Sequence, residues 1–126
     1  MIYKSFEALP CWRAARELCR IINRLTSNDA FKKDFSLKDQ IWRAAGSVMD
    51  NIAEGFDSDL VKEFRRFLSY SQRSSSEVQS QLYRALDCRY IDSTDFDEAY
   101  RLAAECRKQI KGFRKYLQDY SSASPN

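Results

Sequence analysis

The sequence predicts an all-α protein, an up-down-up-down bundle of four helices in a single domain over residues 1–126, and three observations lead there. Only three glycines and two prolines punctuate the 126 residues, too few for many short strands joined by tight hairpins. Four long stretches repeat apolar residues at spacings of three and four, the period of a helix buried along one face. The segments between them are short and polar, so consecutive helices must run antiparallel.

The first helix is placed at residues 10–27. Pro10 suits the first helical position, where its missing N–H would have no intrahelical partner, and Ala15, Cys19, Ile22 and Leu25 face inward with Trp12 at their edge. Polar residues 27–33 turn the chain. The second helix, 36–54, takes Ser36 as its N-cap and Gly55 as the left-handed residue that ends it. After the acidic turn Asp57, Ser58, Asp59, the third helix covers 60–89 with Phe64, Leu68, Ser71, Ser75, Val78, Leu82 and Leu86 on one face. At 1.5 Å per residue it is roughly 45 Å long and forms the spine of the domain. The fourth helix, 95–120, follows a turn in which Thr94 and Asp97 resemble a capping box, with Asp in place of Glu. Phe96, Ala99, Ala103, Cys106, Ile110, Phe113, Leu117 and Tyr120 give it the cleanest apolar register in the chain. Residues 121–126 form a small polar tail expected to fray.

Composition narrows the function. Histidine is absent, which removes the commonest general base and most zinc and di-iron sites, and no glycine-rich phosphate loop or nucleophile motif is present. Glu54, Glu63 and Glu77 are the carboxylates placed in motifs, yet without histidine they make no acid–base or metal constellation. The chain is therefore expected to be no enzyme and to need no cofactor or metal. Cys11, Cys19, Cys88 and Cys106 form no CxxC pair and are expected as buried thiols of a reducing compartment. No apolar run approaches a membrane span or a signal peptide, so a cytoplasmic location is expected. Ser69, Ser71, Ser74, Ser75, Ser76 and Ser80 crowd the third helix, where small side chains permit a neighbouring helix to come close.

The second helix carries more than a core stripe. Beside Leu37, Ile41, Ala44, Val48 and Ile52 runs a polar seam of Gln40, Ser47, Asn51 and Glu54. Half-buried polar groups cost about 1–3 kcal/mol each unless hydrogen-bonded, so the seam is expected to meet Arg43, Ser74, Glu77 and Gln81 in an interhelical network. A second apolar band, Phe35, Trp42, Met49 and Phe56, lies roughly 100° from the core stripe. It is either the edge of a deep core or a subunit interface.

Laid out this way, the chain resembles a bacterial four-helix-bundle family first found encoded in intervening sequences of 23S ribosomal RNA genes. The likeness covers nearly the whole chain. It is carried by Phe6, Leu9 and Trp12, by Gln40-Ile41-x-Arg43-Ala44-Ala45-x-Ser47 with Asn51-Ile52-Ala53-Glu54-Gly55, by Lys62-Glu63-Phe64-x-x-Phe67-Leu68, and by Ser74-x-x-Glu77-x-x-x-Gln81-Leu82. The resemblance implies a bundle that assembles as a ring-like homo-pentamer without catalytic activity. The accessory variability determinant of diversity-generating retroelements is similar to this family, and there the pentamer binds a reverse transcriptase and its template RNA. Three positions depart from the family pattern. Met49 replaces a frequent proline, the loop at Asp57, Ser58 and Asp59 is acidic where relatives are commonly basic, and Arg73 stands in place of a glycine.

Charge is patterned rather than uniform. Net charge is +3, and 13 of the 21 cations are arginine, suited to bidentate phosphate contacts. Arg13, Arg16, Arg20 and Arg24 form an outward stripe on the first helix; Arg101, Lys108, Lys111 and Lys115 form another on the fourth. Acids gather at turns, at Asp57 and Asp59 and at Asp92, Asp95, Asp97 and Glu98. Five copies in a ring would carry a formal charge of about +15, enough to hold an RNA backbone in a salt-dependent, sequence-tolerant way. The leading expectation is thus a homo-oligomeric scaffold binding RNA or a ribonucleoprotein through its basic faces, with a reverse transcriptase as a further partner implied by the resemblance. The alternative is a protein-binding adaptor with no nucleic-acid role.

Overall fold

The structure, a computed structural model, describes residues 2–123. A 3-10 turn, Phe6–Ala8, leads into α1 (Pro10–Thr26), a short α2 (Asp29–Lys32), α3 (Phe35–Phe56), α4 (Val61–Asp87) and α5 (Ser93–Ala123). The four long helices close a cycle, α1 against α3, α3 against α4, α4 against α5 and α5 back against α1. They enclose a core that includes Leu18 and Ile22 of α1, Ile41 and Ile52 of α3, Leu68 and Leu82 of α4, and Ile110 of α5, each with no exposed surface. Burying one such side chain contributes about 1.5–3 kcal/mol, so this interior supplies the drive for helices that are individually marginal.

The helix ends differ from expectation, and each difference has a local cause. Asn28 accepts the Phe31 N–H at 2.7 Å and caps α2, a helical turn inside the expected loop. Asp34, not Ser36, caps α3 by accepting the Leu37 N–H at 3.0 Å; a carboxylate outcompetes a hydroxyl at the positive end of a helix dipole. Asp92 takes the place expected of Thr94, accepting the Asp95 N–H at 2.8 Å. The tail expected to fray is helical as far as Ala123, and its remaining residues 124–126 lie outside the described residues. Tyr120, expected in the core register of α5, is 40% exposed.

Gly55 does not end α3, which continues to Phe56, and no glycine among the described residues has positive φ. Its role is to let α4 approach. A Cβ there would lie 2.7 Å from Phe64 Cδ1 and 2.9 Å from Phe67 Cβ, closer than packed atoms come. Buried Ser71 and Ser75 continue the same close approach, and the Ser71 hydroxyl donates to the Val48 carbonyl across it at 2.6 Å.

The left-handed residue of the fold is instead Arg89, φ 61°, just past α4. Its N–H donates to the Leu86 carbonyl and the Tyr90 N–H to the Ala85 carbonyl, both at 2.9 Å, which is the Schellman closure of a helix. Tyr90 then returns to the far corner of the bundle. Its ring lies 5.3 Å from that of Phe31, its carbonyl accepts from Asn28 Nδ2 at 2.8 Å, and its hydroxyl donates to Asp34.

All four cysteines are free thiols. Cys11 and Cys106 are buried and Cys19 is half-buried, its thiol donating to the Ala45 carbonyl at 3.2 Å. Cys88 is exposed because it caps the C-terminus of α4, a correction to the expectation of four buried thiols.

Candidate functional site

The polar seam of α3 meets α4 along one edge, and its hydrogen bonds are fewer than expected. Asn51 Nδ2 donates to both the carbonyl and the hydroxyl of Ser47, and the Ser74 hydroxyl crosses from α4 to Ser47 Oγ, all at 2.9 Å. Further along, Arg84 reaches Gln40 Oε1 at 3.0 Å; Arg84 did not stand out in the sequence because it sits a turn beyond the motif. Arg43 is exposed and pairs within its own helix with Asp39 at 3.0 Å, while Glu54 and Glu77 are exposed. Gln40, Arg43, Ser47, Ser74, Glu77 and Gln81 line an open groove of about 390 Å³, in which Gln81 Oε1 is buried without a partner.

The second apolar band of α3 divides. Phe35 and Trp42 are exposed at 79% and 47%. Met49 and Phe56 are half-buried and pack on the core, Phe56 edge-on to Phe64 with centroids 6.1 Å apart.

All eight cations singled out on α1 and α5 are exposed. On α1, Arg13 donates to the Glu7 carbonyl at 2.8 Å, Arg16 lies 6.0 Å over the Trp12 ring, Arg20 pairs with Glu17 at 3.3 Å, and Arg24 pairs with Glu98 of α5 at 2.9 Å. Among the described residues, Arg101, Lys108, Lys111 and Lys115 have no ion-pair partner. The two stripes do not merge into one face. Glu17, Asp97, Glu98 and Glu105 line the groove between α1 and α5, with Arg101 as its single cation.

The seam between α4 and α5 has the opposite character. Arg107, Lys108 and Lys111 line a groove of about 320 Å³ with Gln72 and Ala104, and no carboxylate is part of it. Linked to it through Gln72, Arg114 Nη1 donates to Gln72 Oε1 at 2.8 Å, while Arg65 Nε donates to the Arg114 carbonyl and Arg65 Nη2 to Gln118 Oε1, both at 3.3 Å. Arg65 and Arg114 are half-buried, and Arg114 Nε is buried with no acceptor. Arg65, Gln72, Arg107 and Arg114 escaped the sequence reading because a search for charges opposite the core passes over the flank of a helix. The run 107, 111, 114, 118 at spacings of four, three and four was the available signal. Arg73, expected either at a helix contact or on the surface, is exposed and lies 6.0 Å over the Tyr70 ring.

No group of three His, Cys, Asp or Glu side chains among the described residues is placed to hold a metal ion. Nor is any described helix long and apolar enough to cross a membrane. Burial raises the thiol pKa of Cys11 and Cys19 to about 11 and of Cys106 to about 12, so these groups are protonated and poor nucleophiles near neutrality.

Fold and surface together define an all-helical bundle protein whose prominent features are a basic seam between α4 and α5 and the exposed Phe35 and Trp42 of α3. Residues 7–112 match the family described as 23S rRNA-intervening sequence protein, and the chain belongs to that family. Among solved structures it is similar to a protein of unknown function from the S23 ribosomal protein family of Bacteroides thetaiotaomicron, with a TM-score of 0.76 and 21% identity over 83% of this chain and 98% of that one. That likeness is one of fold. No curated protein sequence matches the chain.

Proposed function

We propose that this protein acts by binding rather than by chemistry, as a homo-oligomeric scaffold, a pentamer on the family resemblance, that holds RNA or a ribonucleoprotein on its basic surface. The observation that carries this reading is the set of exposed cations on α5, Lys108, Lys111 and Lys115, which have no acidic partner among the described residues. Unpaired surface cations release condensed counterions from a nucleic-acid backbone on contact, and repetition of the patch around a ring multiplies the effect. Exposed Phe35 and Trp42 support the oligomeric part, as large apolar side chains that a second copy would cover. A reverse transcriptase is the protein partner that the likeness to retroelement accessory proteins suggests. Light-scattering mass of the purified protein, with and without a mixed RNA pool, tests the proposal. A multiple of 14.8 kDa that gains RNA mass at low salt and loses it as salt rises is expected. An oligomer indifferent to RNA would shift the reading to a protein-binding adaptor.

A further inference from the structure

The α4–α5 seam is unusual in what it lacks. Five cations, Arg65, Arg107, Lys108, Lys111 and Arg114, run along one flank, and none is ion-paired among the described residues. The two half-buried guanidiniums are satisfied only by neutral acceptors, the Arg114 carbonyl and the side-chain oxygens of Gln118 and Gln72. Arg114 still presents a buried, unpartnered Nε–H. Elsewhere four arginines are balanced by carboxylate, Arg20 by Glu17, Arg24 by Glu98, Arg43 by Asp39 and Arg66 by Glu63, whereas no cation of this seam is. Like charges gathered without counterions repel one another, and an incoming anion relieves that repulsion. Gln72 lines the groove, and with its carbonyl oxygen held by Arg114 its amide N–H₂ has no hydrogen-bond acceptor among the described residues.

We infer that this seam, and not the arginine stripe of α1, is the track for an RNA phosphodiester backbone, with Arg107, Lys108 and Lys111 on successive phosphates and the Arg65–Arg114–Gln72 chain holding the floor in place. The inference rests on the RNA-binding reading above and gives it a location. A continuous backbone fits better than an acidic peptide because the lining combines three cations with Gln72 and Ala104 and holds no large apolar side chain that would anchor one from a peptide. The α1 stripe is a poorer track because two of its four arginines, Arg20 and Arg24, are already paired with Glu17 and Glu98. A track of this kind fixes a backbone without reading bases.

The test is fluorescence anisotropy with a labelled single-stranded polyuridine, titrated at several salt concentrations. It compares the natural protein, the triple variant Arg107→Glu/Lys108→Glu/Lys111→Glu, and the control Arg13→Glu/Arg16→Glu/Arg20→Glu, each checked for unchanged helicity. The seam variant should lose affinity about tenfold or more and its salt slope should fall by about 2, since each neutralised phosphate contributes ~0.7 on a single strand. The control should keep the natural slope. A seam variant that binds as the natural protein does, or a control that loses as much, overturns the location while leaving RNA binding intact. No binding by the natural protein at low salt overturns the RNA reading itself. Displacement of the RNA by polyglutamate as readily as by unlabelled polyuridine overturns the choice of a phosphate backbone over an acidic chain.

Discussion

The Tyr90 hydroxyl donates to Asp34 Oδ2 at 2.9 Å, joining the exit of α4 to the start of α3 across 56 residues of chain. Asp34 is thereby shared between two tasks, because its other oxygen caps α3 through the Leu37 N–H at 3.0 Å.

These two bonds hold the Asp34 carboxyl below the usual aspartate range, the Leu37 N–H first and the Tyr90 hydroxyl second. A depressed acid stabilises the fold above its unfolded pKa, and that contribution disappears as pH falls through the folded value. Tyr90→Phe keeps the ring contact with Phe31 and removes only the hydroxyl. Its melting temperature should lie below that of the natural protein above about pH 5, with the gap closing in strong acid. Thermal melts across pH check this; a gap that widens in acid would contradict it.

Two glycines of α3 should respond to alanine with opposite sign. At Gly55 a methyl group meets Phe64 and Phe67 below 3.0 Å, and overpacking of this kind costs about 1–3 kcal/mol, more than the roughly 1 kcal/mol that helix propensity returns. At Gly46 the new methyl meets nothing within 4 Å. Gly46→Ala should therefore stabilise by about 0.5–1 kcal/mol. Urea denaturation of the two variants measures both.

Arg89 occupies the left-handed C′ position at φ 61°, where a side chain costs roughly 1–2 kcal/mol that glycine avoids. Glycine gives part of this back through its freer unfolded chain, so Arg89→Gly should gain about 0.5–1 kcal/mol. An unchanged or lowered denaturation midpoint would mean that the arginine side chain contributes there.

The thiols should sort by position. Cys88 is exposed and should react with a maleimide in the folded protein, whereas Cys11 and Cys106 should react only on unfolding. Burial raises the Cys11 pKa to about 11 and that of Cys106 to about 12, so the folded state retains these protons where the unfolded state loses them. Stability from this source is intact below the unfolded thiol value of about 9 and declines as pH rises from there toward 12. Mass spectrometry after timed labelling, and melts in alkaline buffer, read the two effects.

The helices were legible because apolar period and length act over many residues: the core register of α5 from Phe96 to Leu117 follows from spacing, and the α1 start from the fit of Pro10 to a first helical position. The helix ends were harder, since Asp34 and Asp92 compete with nearby Ser36 and Thr94 for the same N–H groups and only the folded geometry decides. Gly55 carried a signal with two meanings, a left-handed cap or a close contact, and a single sequence does not separate them. The α3–α4 seam was visible as a polar stripe, yet which groups bond across it depends on the stagger of two helices, so Ser47 meets Ser74 while Arg43 turns back to Asp39. The basic seam was half legible: Lys108 and Lys111 stood out, and Arg65, Arg107 and Arg114 became neighbours only when α4 lay against α5.

Lysine footprinting tests the central claim most directly. The protein is acylated with and without a single-stranded RNA at low salt, and modification is quantified at each lysine by mass spectrometry. Protection concentrated at Lys108, Lys111 and Lys115 on α5, with Lys32, Lys33 and Lys38 at the end of α2 and the start of α3 unchanged, is the expected result. Equal modification of every lysine in the presence of RNA, or protection confined to Lys32, Lys33 and Lys38, would contradict it.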